Sequence, residues 1–156
     1  MSNLFSSGVS VTLLLSSIVA SIACANDNLE VVIDKPYARE SIPGTSISSA
    51  YMTITNKSAS SVKLVAASSE VSKRVEIHQH TMTDGLMRMR QVDYVEILAK
   101  NSKTFQPSGL HLMIFDLKQP LKAQENVIIT LHFDNQASID VNYTVKGLKQ
   151  KKHHHH

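Results

Sequence analysis

His78, Met89, His111 and Met113 make up a set of two imidazoles and two thioethers, the last two residues forming a His-x-Met triplet. The chain's one cysteine, Cys24, lies upstream of all four. Soft, neutral donors of this kind suit monovalent copper. Mg, Ca and Mn prefer carboxylate and carbonyl oxygen, and zinc sites are built from Cys, His and carboxylate. Methionine is therefore the discriminating residue, and Cu(I) is the expected ion.

The local chain supplies a way to gather these donors. Asp84-Gly85 between two β-like runs is a strong hairpin signal, because a two-residue type I′ turn needs positive φ at both central positions. That turn sets Thr83 against Leu86, Met82 against Met87 and His80 against Met89. Since side chains alternate along a strand, His78, His80, Met82, Met87 and Met89 fall on one face and Arg88 and Arg90 on the other. His78 then lies diagonal to Met89, about 7–8 Å away between backbones and within reach of two long side chains. On a separate strand His111 and Met113 project to one side, while Leu110, Leu112 and Ile114 take the other and anchor it. The turn Pro107-Ser108-Gly109 puts His111 near a loop end, where sites are commonly open to partners.

Taken singly, a strand methionine is more often a gap-filler and a strand histidine is more often hydrogen-bonded than metallated. The turn and the alternation together converge five such side chains on one surface, which the bland reading does not explain.

The elements that must carry these residues read as short alternating runs: Leu29–Ile33, Ser49–Thr55, Val62–Ala67, Val75–Thr81, Leu86–Arg90, Val92–Leu98, Leu110–Phe115, Val127–Phe133 and Ile139–Val145. No sustained helical period occurs. Pro36, Pro43-Gly44, Asn56-Lys57-Ser58, Asp84-Gly85, Pro107-Ser108-Gly109 and Pro120 punctuate the runs. This pattern predicts an all-β, antiparallel sandwich or barrel rather than a βαβ fold. At 156 residues, with no repeat and no long linker, one domain is expected over residues 26–147.

Composition removes several classes. The 16 Lys+Arg against 13 Asp+Glu give a net charge of +3. Those charges are scattered rather than gathered in a stripe, so no nucleic-acid partner is expected. A blue-copper electron carrier needs a thiolate beside two histidines. The exported domain has none. A copper–zinc dismutase needs more histidines than His78, His80, His111 and His132, the tail excepted, can supply. An amino-terminal histidine brace is disfavoured because export processing would expose Asn26 or Cys24. No G-x-S-x-G elbow occurs. The chain is not expected to be an enzyme.

Residues 1–25 differ from the rest of the chain: Val9 to Ala23 is apolar and uncharged and runs into Ala23-Cys24-Ala25 before Asn26. This stretch reads as a secretory signal, with no membrane span once it is cleaved. A weaker second reading makes Ser21-Ile22-Ala23-Cys24 a lipoprotein signal with Cys24 as the anchored residue. Its weakness is Ser21, where such signals usually carry a larger aliphatic side chain. Residues 148–156 form a basic tail ending in four histidines, expected to be disordered and able to capture divalent copper weakly.

The residues resemble the PCuAC family of periplasmic copper chaperones. Its signature, His, ten residues, Met, twenty-one residues, His-x-Met, is matched by His78, Met89, His111 and Met113 without insertion. Tyr37-Ala38-Arg39, Ala50-Tyr51-Met52-Thr53-Ile54-Thr55-Asn56 and Asp84-Gly85-Leu86-Met87-Arg88-Met89-Arg90 extend the likeness over roughly Leu29 to Lys146. The resemblance implies a cupredoxin-like, Greek-key β-sandwich that holds one Cu(I) through those four side chains. It also implies delivery to the copper centres of respiratory oxidases, such as the binuclear site of cytochrome c oxidase. The implied partners are a copper-accepting oxidase subunit and a thioredoxin-like assembly protein. Family tails rich in His and Met bind Cu(II). Here the tail keeps histidines but no methionine. His80 and Met82 lie outside the signature and are auxiliary candidates.

Overall fold

A computed structural model describes residues 30–148. The expected signal over residues 1–25 and the histidine-bearing tail from Lys149 onward lie outside these residues. Leu148, the first residue assigned to the tail, is described and is tied down, its amide donating to Glu40 Oε2 at 3.2 Å.

Ten strands and no helix make up the described chain: β1 Val31–Arg39, β2 Ser48–Asn56, β3 Val62–Ser68, β4 Ser72–Thr83, β5 Leu86–Gln91, β6 Val95–Ile97, β7 Ser102–Phe105, β8 Leu110–Leu117, β9 Asn126–Phe133 and β10 Ser138–Lys146. Among the described residues no helix is long and apolar enough to cross a membrane. The strands form one sheet in the order β5-β4-β8-β7-β2-β1-β10-β9-β3-β6, which closes on itself where Ala67 of β3 pairs with Val75 of β4. Neighbours distant in sequence, such as β4 and β8 or β3 and β9, give crossover connections rather than a meander. The result is the expected cupredoxin-like sandwich.

Alternation builds the interior. Leu64, Ile77, Leu112, Ile114, Ile129, Leu131 and Tyr143 point from strands across the sheet into one apolar core, each 3% exposed or less. In β8, Leu112 and Ile114 take the core side. That parity turns His111 and Met113 to the other face.

Four features depart from the sequence expectation. Pro36 does not end β1: the strand bulges between Asp34 and Tyr37, with Lys35 at φ 50°, and continues to Arg39. A proline cannot donate to a ladder, so the bulge lets the chain carry it and resume pairing. Second, β7 lies in a stretch expected to be loop. Third, two pairings are parallel rather than antiparallel, β1 with β10 and β7 with β8. The run expected over Val92–Leu98 also shrinks to three residues.

Candidate metal centre

The hairpin forms as expected. Asp84 and Gly85 have φ of 52° and 76°, and the register below them pairs Thr83 with Leu86, Met82 with Met87 and His80 with Met89. Positive φ at both positions matches the right-handed twist of the strands, so the turn fixes which β5 residue meets each β4 residue.

The other edge of β4 pairs with β8, and there His78 stands directly opposite His111. The two rings have centroids 6.0 Å apart. His80, one pleat along, stacks on His111 at 5.0 Å with 24° between the planes. From the far side Met89 reaches back, and its Sδ lies 3.2 Å from His111 Nε2. Where β5, β4 and β8 run side by side, His111 and Met89 are therefore in direct contact, and His78 lies beside His111 across the β4–β8 pairing. Met113 shares the face but sits one pleat further, opposite Glu76 and Ser49. It lines a groove of about 190 Å³ with Arg39, Ile47 and Leu148, rather than joining the His111–Met89 contact.

Hydrogen bonds select the nitrogen each ring presents. His111 Nδ1 lies 3.0 Å from the Gly109 carbonyl, an acceptor only, so Nδ1 carries the proton and the Nε2 lone pair faces Met89. His78 Nε2 lies 2.7 Å from Glu76 Oε2. The hydrogen bond to His78, followed by the contact with Arg74, holds the Glu76 carboxyl below its ordinary range, so it is an ionised acceptor. His78 Nε2 therefore donates, leaving Nδ1 as the lone-pair nitrogen. That Nδ1 is buried and has no partner, and so is Nδ1 of His80. Burial chiefly, with the neighbouring His80 and His78 adding to it, pushes the His111 pKa down, which keeps its ring neutral and able to ligate.

The site is less open than the sequence suggested. His78 and His111 are 8% and 3% exposed, while Met89 is 46% exposed, so the imidazoles are recessed beneath a thioether lid. Strand β8 is flanked on both sides, and Tyr51 of β2 covers its outer face with its ring 6.4 Å from that of His111. Tyr37 packs on Tyr51 at 5.0 Å.

The donor set fits a soft monovalent ion. Among the described residues no three His, Cys, Asp or Glu side chains are arranged to hold a metal by themselves. A cation here would depend on sulfur, and thioether sulfur with imidazole nitrogen favours Cu(I) over zinc or the hard divalent ions. Sequence reasoning missed Glu76 and the Gly109 carbonyl, which orient His78 and His111. Glu76-x-His78 was legible as a same-face pair on a strand. The carbonyl had no sequence signal.

A family model described as "Putative lipoprotein LpqE-like" matches residues 31–145. The protein RP573 of Rickettsia prowazekii (strain Madrid E) is 34% identical over 115 residues, 71% of this chain and 64% of that protein. Lxx21020 of Leifsonia xyli subsp. xyli (strain CTCB07) is 25% identical over 104 residues, 66% of this chain and 63% of that protein. The chain thus spans just under two thirds of the length of these curated relatives. Among solved structures, the solution structure of CuI-DR1885 from Deinococcus radiodurans has 34% identity and a TM-score of 0.63, covering 81% of this chain and 85% of that one. The copper-bound PCuAC domain from PmoF2 gives a TM-score of 0.65 at 18% identity, covering 76% and 93%, a likeness of fold alone. With the matched span running from β1 to the penultimate residue of β10, the chain belongs to the LpqE-like family and has a PCuAC-like fold.

Proposed function

We propose that this chain is an exported, non-enzymatic Cu(I) chaperone that binds the ion through His78, Met89, His111 and Met113 in the periplasm and delivers it to respiratory oxidase copper centres. One observation carries the reading: the lone-pair nitrogen of a recessed imidazole, His111 Nε2, faces a half-exposed thioether, Met89 Sδ, at 3.2 Å. His78 adds an oriented and unpartnered nitrogen beside them. Met113 completes the set by side-chain rotation on the same face. The name of the related CuI-DR1885 structure and the lipoprotein description of the family support copper handling outside the cytoplasm.

Transfer follows from the donors. Neutral thioethers and imidazoles leave the ion its positive charge and hold it less tightly than thiolates, so a thiolate-bearing acceptor wins it by ligand exchange. The acceptor is an oxidase subunit, reached directly or through a thioredoxin-like assembly protein. The terminal histidines take Cu(II) weakly.

Cu(I) titration against a competing chelator tests the site. The native chain binds tightly, and His111→Ala and Met113→Ala each weaken it; equal affinity in all three overturns the assignment. Delivery is tested in a deletion strain at low copper, which loses oxidase activity. A strain that keeps its oxidase but becomes copper-sensitive identifies sequestration instead.

A further inference from the structure

The β4–β5 hairpin carries two thioethers that the four-donor site does not use. Met82 and Met87 are directly opposed near the tip and are 66% and 55% exposed. Directly opposed strand residues hold their Cβ atoms about 4.5–5.5 Å apart, a separation two methionines can span around one ion. One pleat inward on the same face lies His80, opposite Met89, with a buried Nδ1 that has no hydrogen-bond partner. Its ring stacks on His111. Two exposed methionines facing each other contribute little to the core. Nothing in the packing explains why two thioethers oppose each other here, beside an exposed Leu86, where polar side chains are usual on an exposed hairpin.

We propose that Met82, Met87 and His80 form a second, weaker Cu(I) site at the hairpin tip, an entry station from which the ion moves inward to Met89 and His111. This site rests on the Cu(I) reading of the inner donors. Its chemistry is the same: the ion stays monovalent, and each move replaces one neutral donor by another, so no electron or proton is transferred. The tip is weaker because its thioethers are solvent-exposed and unconstrained, whereas the inner imidazoles are oriented by Glu76 and Gly109. The register gives the order of contacts: Met82 and Met87 first, His80 and Met89 next, His78 and His111 last.

The methionine methyl groups report each station separately. In the full chain, with its methyls carbon-13 labelled, one equivalent of Cu(I) under reducing conditions shifts Met89 and Met113. A second equivalent then shifts Met82 and Met87 together with the ring protons of His80. In a Met82→Leu, Met87→Leu chain the second-equivalent shift of His80 is lost. Leucine keeps the exposed apolar surface, so the hairpin retains its register. Met82 and Met87 methyls unmoved through two equivalents, or a second-equivalent His80 shift that persists in the double variant, overturn the tip site. Unmoved Met89 and Met113 overturn the inner site instead.

Discussion

Glu76 and His78, two residues apart on the outer face of β4, are joined by a 2.7 Å hydrogen bond from the imidazole Nε2 to the carboxylate. Glu76 is in turn held by Arg74, whose guanidinium also lies over the Phe115 ring at 4.1 Å. This relay fixes the tautomer of His78 without touching any ion, the part that carboxylates play behind metal-bound histidines. In Glu76→Gln the negative acceptor is gone and the ring is less strongly held. Cu(I) affinity falls roughly 10–100-fold, measured by chelator competition, with the fold intact by circular dichroism. Unchanged affinity would show that the carboxylate does not position the ring.

The depressed pKa of His111 has a definite sign. Its folded value lies below the unfolded value of 6.5, chiefly through burial. Below that pH the unfolded chain takes up a proton that the folded chain refuses, so this group's contribution to stability falls as pH drops from 6.5 towards the folded pKa, and then levels. In the metal-free chain the His111 ring resonances titrate with a midpoint under 6.5. A midpoint at or above that value would contradict the burial argument.

The turn is the second lever on the site. Gly85 sits at φ +76°. A β-branched side chain there is strained by about 1–2 kcal/mol. Gly85→Val therefore loosens the pairing of His80 with Met89, lowers Cu(I) affinity, and leaves core amide exchange in β2 and β9 nearly as slow as in the native chain. Retained affinity would mean that Met89 does not depend on the hairpin register.

The core carries the fold independently of the donors. Leu112, fully buried between His111 and Met113 in sequence, faces the opposite side of β8. Leu112→Ala costs about 2–5 kcal/mol in denaturant unfolding. His80→Ala, part-exposed and on the outer face, costs far less. A reversal of that order would place the donor face, not the interior, as the source of stability.

How much of the site is readable from sequence depends on the range of each signal. The hairpin was legible to the residue because Asp84-Gly85 is a local turn whose chemistry dictates register. The opposition of His78 and His111 was not, because the β4–β8 pairing joins stretches that are distant along the chain and carries no local turn signal. Strand β7 was missed for a different reason. Ser102-Lys103-Thr104-Phe105 has one apolar residue, and its partnership with β2 is completed by hydroxyl pairs, Thr55 with Ser102 at 2.9 Å and Thr53 with Thr104 at 3.3 Å. Hydrophobic alternation cannot reveal a strand whose visible face is built from hydroxyls. The depth of His111 also escaped, because burial on an outer face comes from Tyr51 and Met89, which only the assembled sheet brings near.

One carbonyl, that of Gly109, receives both the His111 ring proton and the backbone amide of His80, the latter at 3.2 Å. A peptide oxygen cannot be removed by swapping one amino acid for another. The aim of the His111 ring and the backbone position of His80 are thus written into the path of the main chain between β7 and β8, and changing the length of that connection would displace both at once where point substitutions leave it standing.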